Sequence, residues 1–274
     1  MKKVFALLGA VGFFFACASG ASMAVRDTAP ALVEQWETGR IVAGSHDGAL
    51  VVIGVSSRLS RHEDEIEAAR NNAARKVAMF HGMNGTARFI NRTGGNVLDF
   101  IAESEIDITL ANADYTRFAE RLTFDPERDV LRFEGKGILG RGGTLVRFRD
   151  AARVPGVSVA GTVDAEGRPG WISNRDLPDI DGYTVAVGFS RNQVWLRDTV
   201  MLATENVAAR LITGTESVVS TTTVEVIGQA AFTYVTSVSS GVLSNFRILE
   251  FWVDPSNMSV YALGIARSEP ASRS

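Results

Sequence analysis

The chain has almost no cysteine, little histidine and hardly any lysine beyond its first residues. Cys17 is its single cysteine. No intramolecular disulfide can form, and a cysteine-based zinc site is excluded. The three histidines, His46, His62 and His81, are well separated. After Lys2 and Lys3 the only lysines are Lys76 and Lys136. The remaining cations are arginine, which stays charged and makes planar forked contacts. The formal net charge is −3, and loss of Lys2 and Lys3 with a leader makes the rest more acidic. Nucleic acid attracts basic faces and is therefore not expected as a partner. With 46% hydrophobic residues, the chain can bury a core.

What is present first is an address. Lys2 and Lys3 precede Val4–Phe15, an uncharged, mostly apolar run, and small residues follow. This is the pattern of a bacterial secretory signal peptide. The run is too short to stay in a bilayer as a spanning helix. Phe14-Phe15-Ala16-Cys17 resembles a lipobox, in which a small residue precedes a cysteine that becomes acylated. The alternative is ordinary cleavage at Ala16-Cys17-Ala18, an Ala-x-Ala site. Several acyl chains on Cys17 would anchor the protein to a membrane surface.

Two stretches then repeat. Gly48, Val51, Gly54 and Ser56 align without a gap on Gly182, Val185, Gly188 and Ser190. Ala69, Asn72 and Ala74 align in the same frame on Ala203, Asn206 and Ala208. The stripes Ile66, Ala69, Ala73, Val77 and Val200, Ala203, Val207, Leu211 each give one buried helix face. Each copy thus reads as a strand and then a helix: Ala49–Val55 with a helix to Phe80, and Tyr183–Phe189 with a helix from Trp195 to Ile212. Ser60 and Glu63 fit a capping box, and Gly82 fits a helix stop. Ser104–Leu110, Ser217–Ile227 and Phe232–Val238 read as strands. Asp125-Pro126 and Asp254-Pro255 each sit between strand-like runs and predict two hairpins, Arg121–Phe124 with Val130–Phe133 and Phe246–Val253 with Ser259–Leu263. A hairpin-like tail, Gly135–Asp150, is expected to follow the first.

The expected fold class is α+β: two tandem similar modules, each an antiparallel-rich sheet with one long helix packed on a face. The expected boundaries are a signal peptide at 1–17, a tether at 18–29, a first module at 30–150, a linker at 151–168, a second module at 169–268 and a tail at 269–274.

Several residues resemble the Lpp-twenty-type bacterial lipoproteins. They are Pro169-Gly170-Trp171 with Leu177-Pro178, Tyr183-Thr184-Val185-Ala186-Val187-Gly188, and Ala203-Thr204-Glu205-Asn206-Val207-Ala208-Ala209-Arg210. Phe251-Trp252-Val253-Asp254-Pro255 with Tyr261-Ala262-Leu263 completes the set. The likeness covers the second copy nearly whole and the first more weakly. It implies an envelope lipoprotein with a small fold related to flagellar-assembly accessory domains, and no established catalytic role.

Candidate chemistry is thin. Gly135-Lys136-Gly137-Ile138-Leu139-Gly140 matches a dinucleotide-loop spacing, but a turn and a strand follow it, leaving no helix end for a pyrophosphate. His62-Glu63-Asp64-Glu65 diverge around one helical turn and cannot converge on an ion. Ser56 and Ser190 lack the second glycine of a nucleophile elbow and read as turns into the helices. Arg147 and Arg149 read as solvated charges on an edge strand. Asn72 and Asn206 read as structural amides bonding a neighbouring loop. Trp36 and Trp171, ahead of each first strand, either pack on a sheet edge or present an aromatic anchor to a partner. No residue is assigned a catalytic, cofactor-binding or metal-binding role. An enzyme would need Glu103, Glu105 or Asp107 to converge with groups elsewhere. The expectation is a non-enzymatic, exported envelope lipoprotein, held to a membrane by Cys17 and acting through contacts with envelope proteins. The alternative is a lipid or small-ligand carrier.

Overall fold

Ala49–Ser57 is apolar almost throughout, and it forms a strand buried on both faces, β3. It leads into the long helix α2, His62–His81, which stops at Gly82, whose φ of 147° suits only glycine. The computed structural model describes residues 30–94, 101–110, 115–135, 141–157, 159, 162–173, 176–213, 218–227 and 230–270. Before β3 come a short helix α1, Leu32–Glu37, and strands β1, Arg40–Val42, and β2, Gly44–His46. After α2 come β4, Met83–Gly94, β5, Ile101–Leu110, the single turn α3, Thr116–Ala119, β6, Val130–Phe133, and β7, Gly143–Arg153. The second half runs β8, Thr184–Ser190, α4, Leu196–Thr213, β9, Val218–Ile227, β10, Ala230–Val253, and β11, Val260–Pro270. Helices and antiparallel strands are mixed in one α+β fold.

Four strands pair in the order β2-β3-β7-β6. The larger sheet runs β5-β4-β10-β11-β8, with β1 and β9 also on β10. It draws strands from both halves of the sequence. β9 and β11 lie end to end along one edge of β10, against Ala230–Ser239 and Gly241–Val253. β4 and β1 occupy its other edge, against Phe232–Leu243 and Glu250–Trp252. Leu50, Val52, Val146 and Phe148 pack on α2 residues Ala69, Ala73 and Val77. Ile53, Val55 and Leu145, on the other alternation, join α4 and β10 in the largest core.

The two strand–helix units make the same contacts. A Cβ on Gly54 would lie 2.1 Å from the Ala69 carbonyl oxygen, and one on Gly188 would lie 2.2 Å from that of Ala203. Each helix therefore rests directly on strand backbone. One turn further along, Asn72 Oδ1 accepts the Val55 N–H at 3.1 Å, and Asn206 Nδ2 donates to the Phe189 carbonyl at 2.7 Å. The partner of each amide is the strand residue after the glycine, not a loop.

Other expectations need correction. α2 has Arg61 at its N-cap, with no side-chain cap. That shifts Ser60 one residue out of position for a capping box, and Glu65 takes the Leu59 N–H instead at 2.9 Å. Arg121–Phe124 does not pair with Val130–Phe133. Thr123 bridges Arg149, and β6 pairs with β7, so both flanks of Asp125-Pro126 line one edge of β7. The hairpin partner of β6 is thus β7, which lies inside the supposed tail. β10 is one strand of 24 residues rather than two. The hairpin at Asp254-Pro255 forms as expected, but β11 continues past Gly264 to Pro270.

Gly54→Ala and Gly188→Ala should each lower stability by about 1–3 kcal/mol, since no rotamer can relieve a Cβ against a carbonyl. Gly156→Ala, where nothing lies within 4 Å of the added carbon, should change it by less than about 0.5 kcal/mol. Urea unfolding midpoints of the three variants decide this.

Candidate functional site

Cys17, the leader and the tether lie outside the described residues, as does most of the glycine-rich run after Gly135. Glu103, Glu105 and Asp107 fall on β5, whose side chains are likewise outside them. Trp36, on α1, is half-buried, its ring 4.9 Å from that of Phe133. Trp171 is 0% exposed. It sits among Val187, Leu249, Trp252, Leu263 and Ile265, under a cover that includes Val157, Ile172, Ile180 and Tyr183. The anchor reading of Trp171 is therefore corrected: chain around it folds back over the sheet and leaves no aromatic surface to offer.

The charged residues inside the fold are more informative. Arg147 is 2% exposed and Asp129 is 0% exposed. Arg147 Nε donates to Asp129 Oδ1 at 2.7 Å, and Arg149 Nη1 donates to Oδ2 at 2.5 Å. Arg147 Nη1 also donates to the Pro30 carbonyl. These arginines are not solvated edge charges, because β7 lies between β3 and β6. Burial pushes the Asp129 carboxyl up. The Asp125 backbone bond and the two guanidiniums outweigh it and hold the carboxyl below its ordinary range.

Glu65 is equally buried. It accepts from Thr144 Oγ1 at 2.6 Å, from the Leu59 N–H and from both Arg132 Nε and Nη2 at 3.1 Å. His62 Nδ1 lies 3.2 Å away. Burial raises its carboxyl, and the bonds from Thr144, Leu59 and His62 bring it below the ordinary value. Asp150 is held by Arg121 at 2.7 Å, and Glu250 by Arg40 through two bonds of 2.7 and 2.9 Å. Each of these carboxylates already accepts from an arginine. Only at Asp129 is the paired guanidinium itself buried, so that protonating this acid would strand a buried charge.

The histidines are dispersed. His46 lies beside Asp47, and His62 beside Glu65. His81 stacks on Phe118 and has Nε2 2.9 Å from Arg121 Nη2. Burial, then the Arg121 charge, lowers its pKa. A neutral imidazole accepting from Arg121 fits this better than a cation capping α2. Ser56 and Ser190 end up in strands, and Ser190 Oγ donates to the Arg191 carbonyl. Among the described residues, no three histidines or acids gather as metal ligands.

Lys76 stands apart from these networks. It is 6% exposed, and Nζ donates to the Ile53 carbonyl at 2.5 Å. Nζ lies 5.5 Å from the centre of the Phe251 ring. A cavity of about 10 Å³ beside it is bounded by Thr204, Phe246 and Phe251 among others, at the lower limit for one water. Burial pushes the ammonium down to about 7. Its place was readable in the spacing, since Ala69, Ala73 and Val77 share its helix face. A larger depression, about 400 Å³, lies at Thr162–Ser173, where Asp164 and Arg168 satisfy each other at 2.8 Å.

Neither a protein-family model, nor a curated protein, nor a solved structure matches the chain.

Asp129→Ala should cost roughly 3–5 kcal/mol, because it leaves Arg147 buried and unpaired. Arg149→Ala, at a partly exposed position, should cost about 1 kcal/mol or less. Since Asp129 and Glu65 are held low, their stabilisation is complete above the ordinary carboxylate range and is lost as pH falls through their folded values. Denaturant melts of both variants at neutral pH, and of the wild type towards acid, test this.

Proposed function

We propose that the protein is a non-enzymatic component of the bacterial cell envelope, tethered to a membrane through lipid on Cys17 and working through contacts with envelope proteins. The observation that carries the non-enzymatic part is the state of the buried acids. Glu65, Asp129, Asp150 and Glu250 are each bound by arginine, so the fold uses its ionisable groups as internal fasteners. The leader, and Cys17 as the chain's one cysteine at its end, support the tether. The likeness to Lpp-twenty-type lipoproteins supports an envelope or flagellar association on the same residues.

The carrier reading draws less support. The cavity between β3, α2, α4 and β10 has room for about one water, far below what a lipid chain needs. The depression at Thr162–Ser173 is open to solvent, and its two charges are paired.

Metabolic labelling with a fatty acid should mark the wild type and leave Cys17→Ser unmarked. Equal labelling of both would sink the tether. Cross-linking in intact cells followed by purification should return the same envelope proteins in repeated trials. Consistent recovery of none would overturn the contact role.

A further inference from the structure

Lys76 is a cation at a seam where four elements meet. Its own helix α2 supplies it, β3 offers the Ile53 carbonyl, β10 offers the face of Phe251, and α4 offers Thr204 across the small cavity. Thr204 spends its hydroxyl proton on the Val200 carbonyl at 2.8 Å. The acids described on the surrounding elements are already engaged. Glu205 of α4 faces Arg75 at 3.2 Å, Glu250 of β10 is bound by Arg40, and Arg247, a second cation lining the same cavity, lies against the Tyr183 ring and donates Nη2 to the Pro155 carbonyl. On β7, Arg147 is tied to Asp129 and Asp150 to Arg121. β3 carries no ionisable side chain. Among the described residues no carboxylate is left to balance an ammonium here.

An ammonium has three donors, and one carbonyl accepts from Nζ. A neutral amine is satisfied by that single bond and the apolar wall. A charged one needs water or an anion, and the cavity holds at most one water. We propose that Lys76 is a pH-responsive latch: uncharged, it closes the seam between α2, β3, α4 and β10; protonated, it loosens that seam by drawing Nζ towards solvent. The inference does not depend on the tether or on the envelope role.

The sign follows from burial. A folded pKa near 7 lies below the ordinary lysine value, so the unfolded chain binds more protons between the two. Stability is lowest at and below neutral pH and rises as pH climbs from about 7 towards the unfolded value. The other shifted groups act elsewhere or oppositely. His81 is lowered by burial and by Arg121, and its contribution fades only as pH falls below the ordinary histidine value. Glu205 is raised by burial against the pull of Arg75, so its contribution is lost, not gained, as pH rises through its folded value.

The test uses the protein without its leader in two ways. Carbon-13 labelling at lysine Cε leaves two signals once the leader is removed, from Lys76 and Lys136. One should titrate near neutral pH in the folded wild type. Both titrating in the ordinary lysine range would overturn the proposal without any mutation. In parallel, the wild-type folding equilibrium should gain about a hundredfold between pH 6 and pH 9 relative to Lys76→Met. Hydrogen-exchange protection around Ile53 and α2, corrected for intrinsic rate, should fall at pH 6 in the wild type and hold in the variant. Equal pH slopes, or protection that ignores pH, would show Lys76 to be a buried filler and no latch.

Discussion

One uninterrupted strand holds the two ends of the sequence together. β10 offers two long edges, and each is used twice, by β9 and β11 on one side and by β4 and β1 on the other. Its first half makes a hairpin with β9 and takes in β4 from far upstream. Its second half makes a hairpin with β11, to which β8 adds. Pulling residues 30–150 away from residues 169–268 would therefore break backbone ladders, not a side-chain interface. Ladder partners that distant are ordered only at the cost of closing a long loop. The apolar layer formed by Phe251, Ile53 and Val207 offsets that cost by removing both sheets and α4 from water together.

The repeated strand–helix unit was legible because everything that specifies it is local. Gly54 and Gly188 let a helix touch strand backbone, and the alanine stripes keep that approach narrow. Asn72 and Asn206 then fasten helix to strand within about one and a half dozen residues of sequence. Pattern carries such information because partner and position are fixed by one helical period. The capping box failed on a smaller margin. A helix that starts at His62 instead of Arg61 moves Ser60 out of reach, and apolar periodicity does not fix a boundary to one residue.

What stayed hidden was pairing at a distance. Nothing in Arg121–Phe124 and Val130–Phe133 says that both lie along β7; a turn signal between two apolar runs looks the same whether they face each other or a third strand. The same blindness made Arg147 and Arg149 look solvated. Alternation with Phe148 is the mark of an edge strand, but β6 and the Leu122–Phe124 segment cover that edge, and Asp129 arrives with them as counter-ion. Trp171 was ambiguous for a related reason, since only the path of the chain after β7 decides whether its ring is covered.

The choice of cation follows from the same burial. A guanidinium does not give up its proton at any ordinary pH, so each deeply buried arginine needs a fixed acceptor. Arg147 has a carboxylate and a carbonyl, and the price appears in Asp129, which must stay ionised inside the core. Arg247, also buried, donates Nη2 to the Pro155 carbonyl at 3.4 Å, leaves Nε and Nη1 without partners and leans on the Tyr183 ring. An amine escapes that requirement by losing its charge. Lys76 can occupy a seam where the described residues leave it no acid, because desolvation moves its proton equilibrium into the neutral range. An arginine there would set a second permanent charge beside Arg247, which already lines the same cavity, and one water's worth of space could not hydrate both.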